Sequence, residues 1–156
     1  MSGAIHATAI VTGTTGLLIV GPSGSGKSRL ALNVVAEARR LGQFGMLVAD
    51  DRVFIDRHGD HLVARRPASI MDMIEVRGSG IARLDSMEKA VLHWAVRVIV
   101  SDQTDRLPDD NERHHLSCGG ELPVVRLTAD CQAPFTTLQG LFSHRSQRMG
   151  ENLSRF

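Results

Sequence analysis

The chain has 156 residues, of which 42% are hydrophobic and only 4% aromatic, so it can build one largely aliphatic core. A formal net charge of +1 gives no indication of a protein that binds nucleic acid or a membrane surface through bulk charge. Cys118 and Cys131 lack the spacing of a metal site, so we expect reduced thiols. Neither a signal peptide nor an apolar run of the ~20 residues of a membrane span is visible, so we expect a cytoplasmic protein.

The first third of the chain is predicted to alternate strands with one helix. Three segments have the β-branched, apolar composition of short strands: 4–11, 17–20 and 46–51. The glycine-containing segment 13–16 predicts a tight turn between the first two strands. A helix is predicted over 27–42, because its apolar residues repeat at helical spacing and Gly42 suits a C-terminal stop.

A hairpin is predicted over 52–66, with its turn around 58–60. A doubly wound nucleotide fold would normally place a helix there, so the hairpin favours a mixed or mostly antiparallel sheet in a single α/β domain. Residues 89–102 predict another strand, and its alternate apolar residues would share one face: Leu92, Trp94, Val96, Val98 and Val100. Segment 103–115 is polar and loop-like, and 136–156 predicts a helix that frays at its end.

The segment GPSGSGKS matches the pattern G-x-x-x-x-G-K-[ST] of a phosphate-binding loop, and it lies between a predicted strand and a predicted helix. Its residues are Gly21, Pro22, Ser23, Gly24, Ser25, Gly26, Lys27 and Ser28. The glycines allow a sharp turn that points N–H groups at phosphate oxygens, and the helix N-terminus adds positive potential. Lys27 can reach the β- and γ-phosphates and the Ser28 hydroxyl can ligate Mg²⁺. The sequence therefore predicts a site for ATP and Mg²⁺.

Two acids, Asp50 and Asp51, end the third predicted strand. Adjacent side chains on a strand point to opposite faces, so the two carboxylates cannot do the same task unless the strand has already ended. One carboxylate would face the metal, and the other would face an incoming hydroxyl as general base. The alternative is that Asp51 only opens the turn before the hairpin.

Two other features have no assignment from spacing alone. His6 lies on the first predicted strand, where a lone histidine is usually a half-exposed polar residue. Glu75 and Arg77 precede the glycine turn of EVRGSG and share a strand face if the strand is regular. The ordinary interpretation of that segment is a strand that runs into a turn.

Taken together, GPSGSGKS, LVADD and EVRGSGI resemble three blocks of the bacterial HPr kinase/phosphorylase family, over about residues 4–107. The loop is common to many NTPases, whereas the acid pair and the EVRGSGI block are much more specific. The resemblance implies a fold like the nucleotide domain of phosphoenolpyruvate carboxykinase, with the loop set in a mixed sheet. It also implies an ATP-dependent kinase of a serine in HPr or an HPr-like phosphocarrier, with a regulatory role in the phosphotransferase system.

The resemblance assigns roles to individual residues. Lys27 matches the phosphate-binding lysine, and Ser28 and Glu75 match the Mg²⁺ ligands. Asp51 matches the residue that takes the proton from the substrate serine, so Asp50 is expected to be the carboxylate that faces the metal. His6 matches the active-site histidine. Arg106, in the segment DRL, matches an arginine that would steady the transferring phosphoryl group.

The sequence departs from the family in two respects. Members usually carry an additional N-terminal domain, so a short form with the catalytic domain alone is expected. The family block P-V-R-P-G-R, associated with dephosphorylation, corresponds to PVVRLTADCQ (123–132), which keeps Pro123, Val124 and Arg126 but lacks the P-G-R. Phosphorylase activity therefore does not follow from the resemblance. Family members are typically hexamers, which implies a homo-oligomer.

Two further functions stay open at this point. The departures also suit a nucleotide-sensing regulatory module with little or no catalysis. A P-loop kinase of a small molecule is a third possibility, although the hairpin after LVADD and the EVRGSGI block count against it.

Overall fold

A computed structural model gives the structure of the chain and describes residues 3–69, 71–100 and 107–153. In chain order the elements are β1 Ala4–Ile5, β2 Thr8–Thr12, β3 Thr15–Val20, α1 Lys27–Arg40, β4 Gly45–Ala49, β5 Val53–His58, β6 His61–Arg65, β7 Met73–Val76, β8 Gly80–Arg83, β9 Lys89–Leu92, β10 Trp94–Ile99, β11 Arg113–His115, β12 Glu121–Thr128 and α2 Pro134–Leu153. Within these ranges neither helix has the length and apolar character needed to cross a bilayer.

The centre of the fold is a mixed six-stranded sheet in the order β11-β12-β10-β3-β2-β4. Strands β3, β10 and β12 run parallel, whereas β2 pairs antiparallel with both β3 and β4. A second, antiparallel sheet has the order β1-β5-β6-β9, and β7 and β8 form a separate hairpin. The prediction of an α/β fold with a mixed sheet is confirmed.

Two apolar clusters lie on opposite faces of the six-stranded sheet. On one face, Leu17 and Ile19 of β3 pack with Leu30 and Val34 of α1 and with apolar residues of α2. On the other face, Leu18 of β3 packs against residues of the four-stranded sheet. The alternation of β3 side chains between two buried faces explains why its sequence is apolar without interruption.

The local predictions with strong turn or periodicity signals are confirmed. Helix α1 covers the predicted segment, and Gly42 after it adopts a φ of 76°, a conformation that favours glycine. The hairpin after β4 forms from β5 and β6, with Gly59 in the turn at a φ of 61°. Helix α2 confirms the C-terminal helix.

Three predictions need correction because the chain changes sheets where the sequence pattern continues. The predicted strand 4–11 is two strands, which pair with different sheets and are separated at His6. The predicted strand 89–102 is also two, β9 and β10, so Leu92 and Trp94 enter different cores instead of one. Segment 103–115 contains the short strand β11, which pairs with β12.

Candidate active site

The phosphate-binding loop connects β3 to α1, at the C-terminal end of a parallel strand. Gly24 and Gly26 have φ values of 77° and 98°, which residues with a side chain rarely adopt. A Cβ on Gly26 would also come within 2.7 Å of the Ala129 side chain. Gly26 is the N-cap of α1, and within the described part of the chain no side chain caps this helix. The first N–H groups of α1 thus have no capping side chain, and the start of a helix in this state suits an anion.

Two polar groups of the loop are poised for a ligand. The buried Ser25 hydroxyl has no hydrogen-bond partner among the described residues. Lys27 Nζ donates to the carbonyl oxygens of Gly21 and Pro22, at 3.0 Å each. Burial lowers the pKa of Lys27, an effect that the nearby carboxylates of Asp51 and Asp50 oppose. Neutral carbonyls are weaker partners for an ammonium than phosphate oxygens, so a bound phosphate can replace them.

Asp50 is a buried carboxylate, and both of its oxygens accept hydrogen bonds. Strand β4 ends at Ala49, and the Asp50 side chain is 8% exposed. Its Oδ1 accepts from Ser28 Oγ at 2.6 Å and from Thr8 Oγ1 at 2.9 Å, while Oδ2 accepts from the Glu75 backbone N–H at 3.1 Å. Asp50, which we predicted as a metal ligand, thus lies behind Ser28 and orients the hydroxyl of the loop.

Asp51 has the opposite environment. Its φ is 66°, an unfavourable left-handed conformation for a residue with a Cβ, and its side chain is 60% exposed. Its Oδ1 lies 2.8 Å from His6 Nδ1. Because a carboxylate cannot donate, the imidazole Nδ1–H donates in this contact. The turn after β4 and the break between β1 and β2 therefore bring the two predicted catalytic residues together.

The β7–β8 hairpin supplies the opposite wall. Glu75 lies on β7 and Arg77 at its tip, and Arg77 NH1 donates to the Gly24 carbonyl oxygen at 3.4 Å. Hairpin, loop and His6 enclose a cleft of about 430 Å³. Its lining residues are His6, Ser23, Gly24, Ser25, Gly26, Lys27, Ser28, Arg29, Leu32, Asp51, Ile74, Glu75, Val76, Arg77 and Ala129.

The residues of the cleft fit a nucleotide with Mg²⁺. The orphaned Ser25 hydroxyl, the uncapped start of α1 and Lys27 match the needs of a phosphate chain. The Ser28 hydroxyl and the Glu75 carboxylate are the hard oxygen ligands that Mg²⁺ prefers. In the described ranges no group of three or more His, Cys, Asp or Glu side chains is arranged to hold a metal ion. Mg²⁺ is commonly bound by one or two carboxylates together with substrate phosphates, which suits Ser28 and Glu75.

The predicted site residues of the described ranges come together, apart from the placement of Asp50 behind Ser28. Arg106 lies outside the described residues. Sequence reasoning missed the Thr8 hydroxyl, which is 42 residues from Asp50, and it gave no role to Arg77. Three glycines in a matched loop indicate that other atoms approach its backbone closely. They do not indicate that Ala129 is one of those neighbours.

Comparisons with known proteins identify the family to which the chain is related. A family model described as HPr Serine kinase C-terminal domain matches residues 1–124. A protein named HPr kinase/phosphorylase from Clostridium beijerinckii is 31% identical over 120 residues, which cover 75% of this chain and 37% of that protein. A protein of the same name from Halalkalibacterium halodurans is 44% identical over 79 residues, which cover 50% of this chain and 24% of that protein.

The chain spans less than half of the length of these two relatives. Among solved structures, the Hpr(Ser) kinase/phosphatase from Coxiella burnetii matches with a TM-score of 0.73 and 19% identity. The match covers 94% of this chain and 99% of that chain. At this identity the likeness concerns the fold.

Proposed function

The chain belongs to the HPr serine kinase C-terminal domain family, and from this membership we propose that it phosphorylates a serine of HPr or of an HPr-like phosphocarrier with ATP and Mg²⁺. The observation that carries the proposal is the pair His6–Asp51, which lines the same cleft as the phosphate-binding loop. A carboxylate held beside a phosphate site is the arrangement that an acceptor hydroxyl requires. A cytoplasmic location and assembly into a hexamer are part of the proposal.

The loop would hold the phosphate chain. Its backbone N–H groups and the start of α1 bind phosphate oxygens, and Lys27 exchanges the Gly21 and Pro22 carbonyls for them. Ser28 and Glu75 would hold Mg²⁺, which neutralises phosphate charge when bound. Asp50 acts as a positioning residue, because it fixes the Ser28 hydroxyl and, through the Glu75 backbone, the start of the hairpin.

Asp51 would be the general base. It accepts the proton of the acceptor serine as the serine Oγ forms a bond to the terminal phosphorus, and the bond from that phosphorus to ADP breaks. His6 keeps the Asp51 carboxylate in one orientation through its Nδ1–H. Phosphoryl transfer depends mainly on alignment and on charge stabilisation, so a fixed carboxylate and a fixed phosphate chain supply most of what the reaction needs.

The reverse reaction is not part of the proposal. Arg126 is the arginine that the segment PVVRLTADCQ shares with the family block P-V-R-P-G-R. It donates through Nε to Glu112 at 2.8 Å and is not among the residues that line the cleft. The segment after it contributes Ala129 to the cleft, a side chain that cannot bind phosphate. We therefore expect kinase activity with little phosphorylase activity.

The test is transfer of label from γ-labelled ATP with Mg²⁺ to HPr of the same organism, with the labelled residue mapped. Asp51→Asn should reduce the rate by about 10²- to 10⁴-fold and leave ATP affinity within a few fold, because it removes only the base. Asp60→Asn is the matched control, since it removes an exposed carboxylate from the β5–β6 turn and should leave the rate unchanged. Equal rates in wild type and Asp51→Asn would overturn the assignment of the base.

The second candidate function is a nucleotide sensor with little catalysis, which the replacement of the P-G-R block by the segment at Ala129 favours. Tight ATP binding without label on HPr would support it. Transfer of label to a small molecule in the absence of any protein acceptor would instead identify a small-molecule kinase.

A further inference from the structure

The β7–β8 hairpin is anchored at its base, whereas its tip is exposed to solvent. Asp72, just before β7, accepts from the Ser86 backbone N–H at 2.8 Å and from the Ser86 hydroxyl at 2.6 Å. Ile74 is buried in the core beside α1. The turn 77–80 is exposed, and Gly78 and Gly80 have φ values of 81° and 111°. A glycine-rich tip on an anchored base can change position at low cost.

Arg77 joins this tip to the loop. Its guanidinium lies against Gly24, where a Cβ would be 3.3 Å from NH1 and 3.4 Å from NH2. The only hydrogen bond of its side chain within the described residues is the long one to the Gly24 carbonyl oxygen, at 3.4 Å. A guanidinium that is exposed and holds one neutral acceptor at this distance has most of its five donors unused.

We propose that Arg77 is a phosphate-binding residue that leaves the Gly24 carbonyl for the phosphate chain and thereby draws the hairpin onto the loop. The inference rests on the proposed function only in that the loop binds a polyphosphate. The planar donor fork of an arginine suits two phosphate oxygens at once, and charge-assisted bonds to phosphate are stronger than a bond to a carbonyl. The hairpin would then close only when phosphate is bound.

Arg83 provides a matched control. It lies on β8 of the same hairpin, is exposed, and is not among the residues that line the cleft. At the hairpin base, hydrogen bonds from Ser86 hold the pKa of Asp72 below its usual value, and the charges of Arg66 and Arg83 lower it further. Arg77→Gln and Arg83→Gln therefore remove the same charge from the same hairpin, and only the first removes a donor from the cleft.

The experiment measures binding of inorganic tripolyphosphate, and separately of ATP, by calorimetry at low ionic strength. Arg77→Gln should weaken tripolyphosphate binding on the order of 10- to 100-fold, and Arg83→Gln by less than about twofold. Arg77→Lys should recover part of the loss, because it restores the charge without the fork. Hydrogen exchange of the hairpin amides should slow on ligand addition in wild type and in Arg83→Gln, but not in Arg77→Gln.

Each outcome separates this inference from the proposed function. If wild type binds tripolyphosphate and Arg77→Gln binds it equally well, the role of Arg77 is wrong and the nucleotide site stands. Equal losses in Arg77→Gln and Arg83→Gln would reduce the effect to general electrostatics and would also overturn the role. If wild type binds neither tripolyphosphate nor ATP, the proposed function itself fails.

Discussion

The two helices of this protein begin in opposite ways. At the start of α2, the Glu37 carboxylate of α1 accepts from the Phe135 backbone N–H at 2.5 Å, from the Thr136 backbone N–H at 3.1 Å and from the Thr136 hydroxyl at 3.3 Å. Glu37 is 7% exposed. At the start of α1, Gly26 occupies the N-cap and no described side chain takes that role. One positive helix end is neutralised from within the protein, and the other is open to the cleft.

The difference separates polar groups that hold the fold from polar groups that await a ligand. Both helix ends present N–H groups that need acceptors, and in a folded protein such groups are nearly always satisfied. The start of α2 is satisfied by Glu37 of the same chain, so its contribution is to stability. Under the proposed function the start of α1 would gain its acceptors from a bound phosphate, so its contribution would be to binding.

Removal of the internal cap should give the largest loss of stability. Glu37→Ala leaves two N–H groups and a hydroxyl at the start of α2 without their acceptor, and we expect a loss of about 2–4 kcal/mol in the free energy of unfolding. Urea unfolding measures it. Asn33→Ala, an exposed change on the same helix, should stay within about 0.5 kcal/mol. A Glu37→Ala protein as stable as Asn33→Ala would remove the distinction between the two helix ends.

The same distinction applies to Asp50, which lies behind Ser28 and does not line the cleft. Asn at this position has one acceptor oxygen in place of two, and its NH₂ group would face the donors of Thr8 and Ser28 or of the Glu75 backbone. We expect Asp50→Asn to lose about 1–3 kcal/mol of stability, measured by urea unfolding without ligand. Asp51→Asn, at the exposed neighbour, should lose less than about 0.5 kcal/mol. Similar losses of stability in both variants would contradict the conclusion that Asp50 holds the fold.

The sequence predicts those parts of this fold that short-range patterns determine. The loop at 21–28, helix α1 and the β5–β6 hairpin each carry a local signal, namely spaced glycines, a helical apolar repeat and a Gly-Asp turn. The proximity of His6 and Asp51 followed only from the family resemblance. Nothing local places the end of β1 beside the end of β4.

The failures of prediction share one physical cause. The alternation of apolar residues continues unbroken from Leu92 to Trp94, yet the chain passes from one sheet to the other between them. The change is held by reciprocal hydrogen bonds in which His93 N–H donates to the Gly16 carbonyl oxygen and Gly16 N–H donates to His93 Nδ1. Gly16 and His93 are 77 residues apart in the sequence, so no local sequence pattern can indicate their contact. The bond between Thr8 and Asp50 was missed for the same reason.

Release of strain at Asp51 should give a smaller effect of the opposite sign. Its φ of 66° suits glycine, and its hydrogen bond with the half-exposed His6 joins two largely exposed side chains and contributes little. We expect Asp51→Gly to gain about 0.5–1 kcal/mol in the free energy of unfolding while kinase activity is lost. Asp60→Gly, in the exposed turn after β5, has no positive φ to relieve and should gain nothing. A loss of stability in Asp51→Gly would show that the His6–Asp51 pair stabilises the fold rather than serving the site.

The smallest expected effect concerns His93, whose Nδ1 is an internally satisfied acceptor like the carboxylates of Glu37 and Asp50. Burial lowers the pKa of His93, and nearby His61 lowers it further. A proton on Nδ1 would also break the bond from the Gly16 N–H, which is 2.9 Å long. The unfolded chain therefore binds more protons than the folded one as pH falls below 6.5, the ordinary histidine value, and stability must fall with it.

Burial affects only part of the side chain, since His93 as a residue is exposed, so we expect this loss to be only a few tenths of a kcal/mol between about pH 7.5 and about pH 5.5. Urea midpoints of wild type and His93→Asn at the two pH values measure it, since the amide oxygen of Asn can accept from Gly16 without titrating. The pKa of His114 is also lowered, mainly by burial, but His114 is present in both proteins. The difference in pH dependence between the two proteins therefore reports His93 alone. Equal pH dependence in the two proteins would show that the junction of the two sheets tolerates a protonated His93, and that this acceptor does not belong with Glu37 and Asp50.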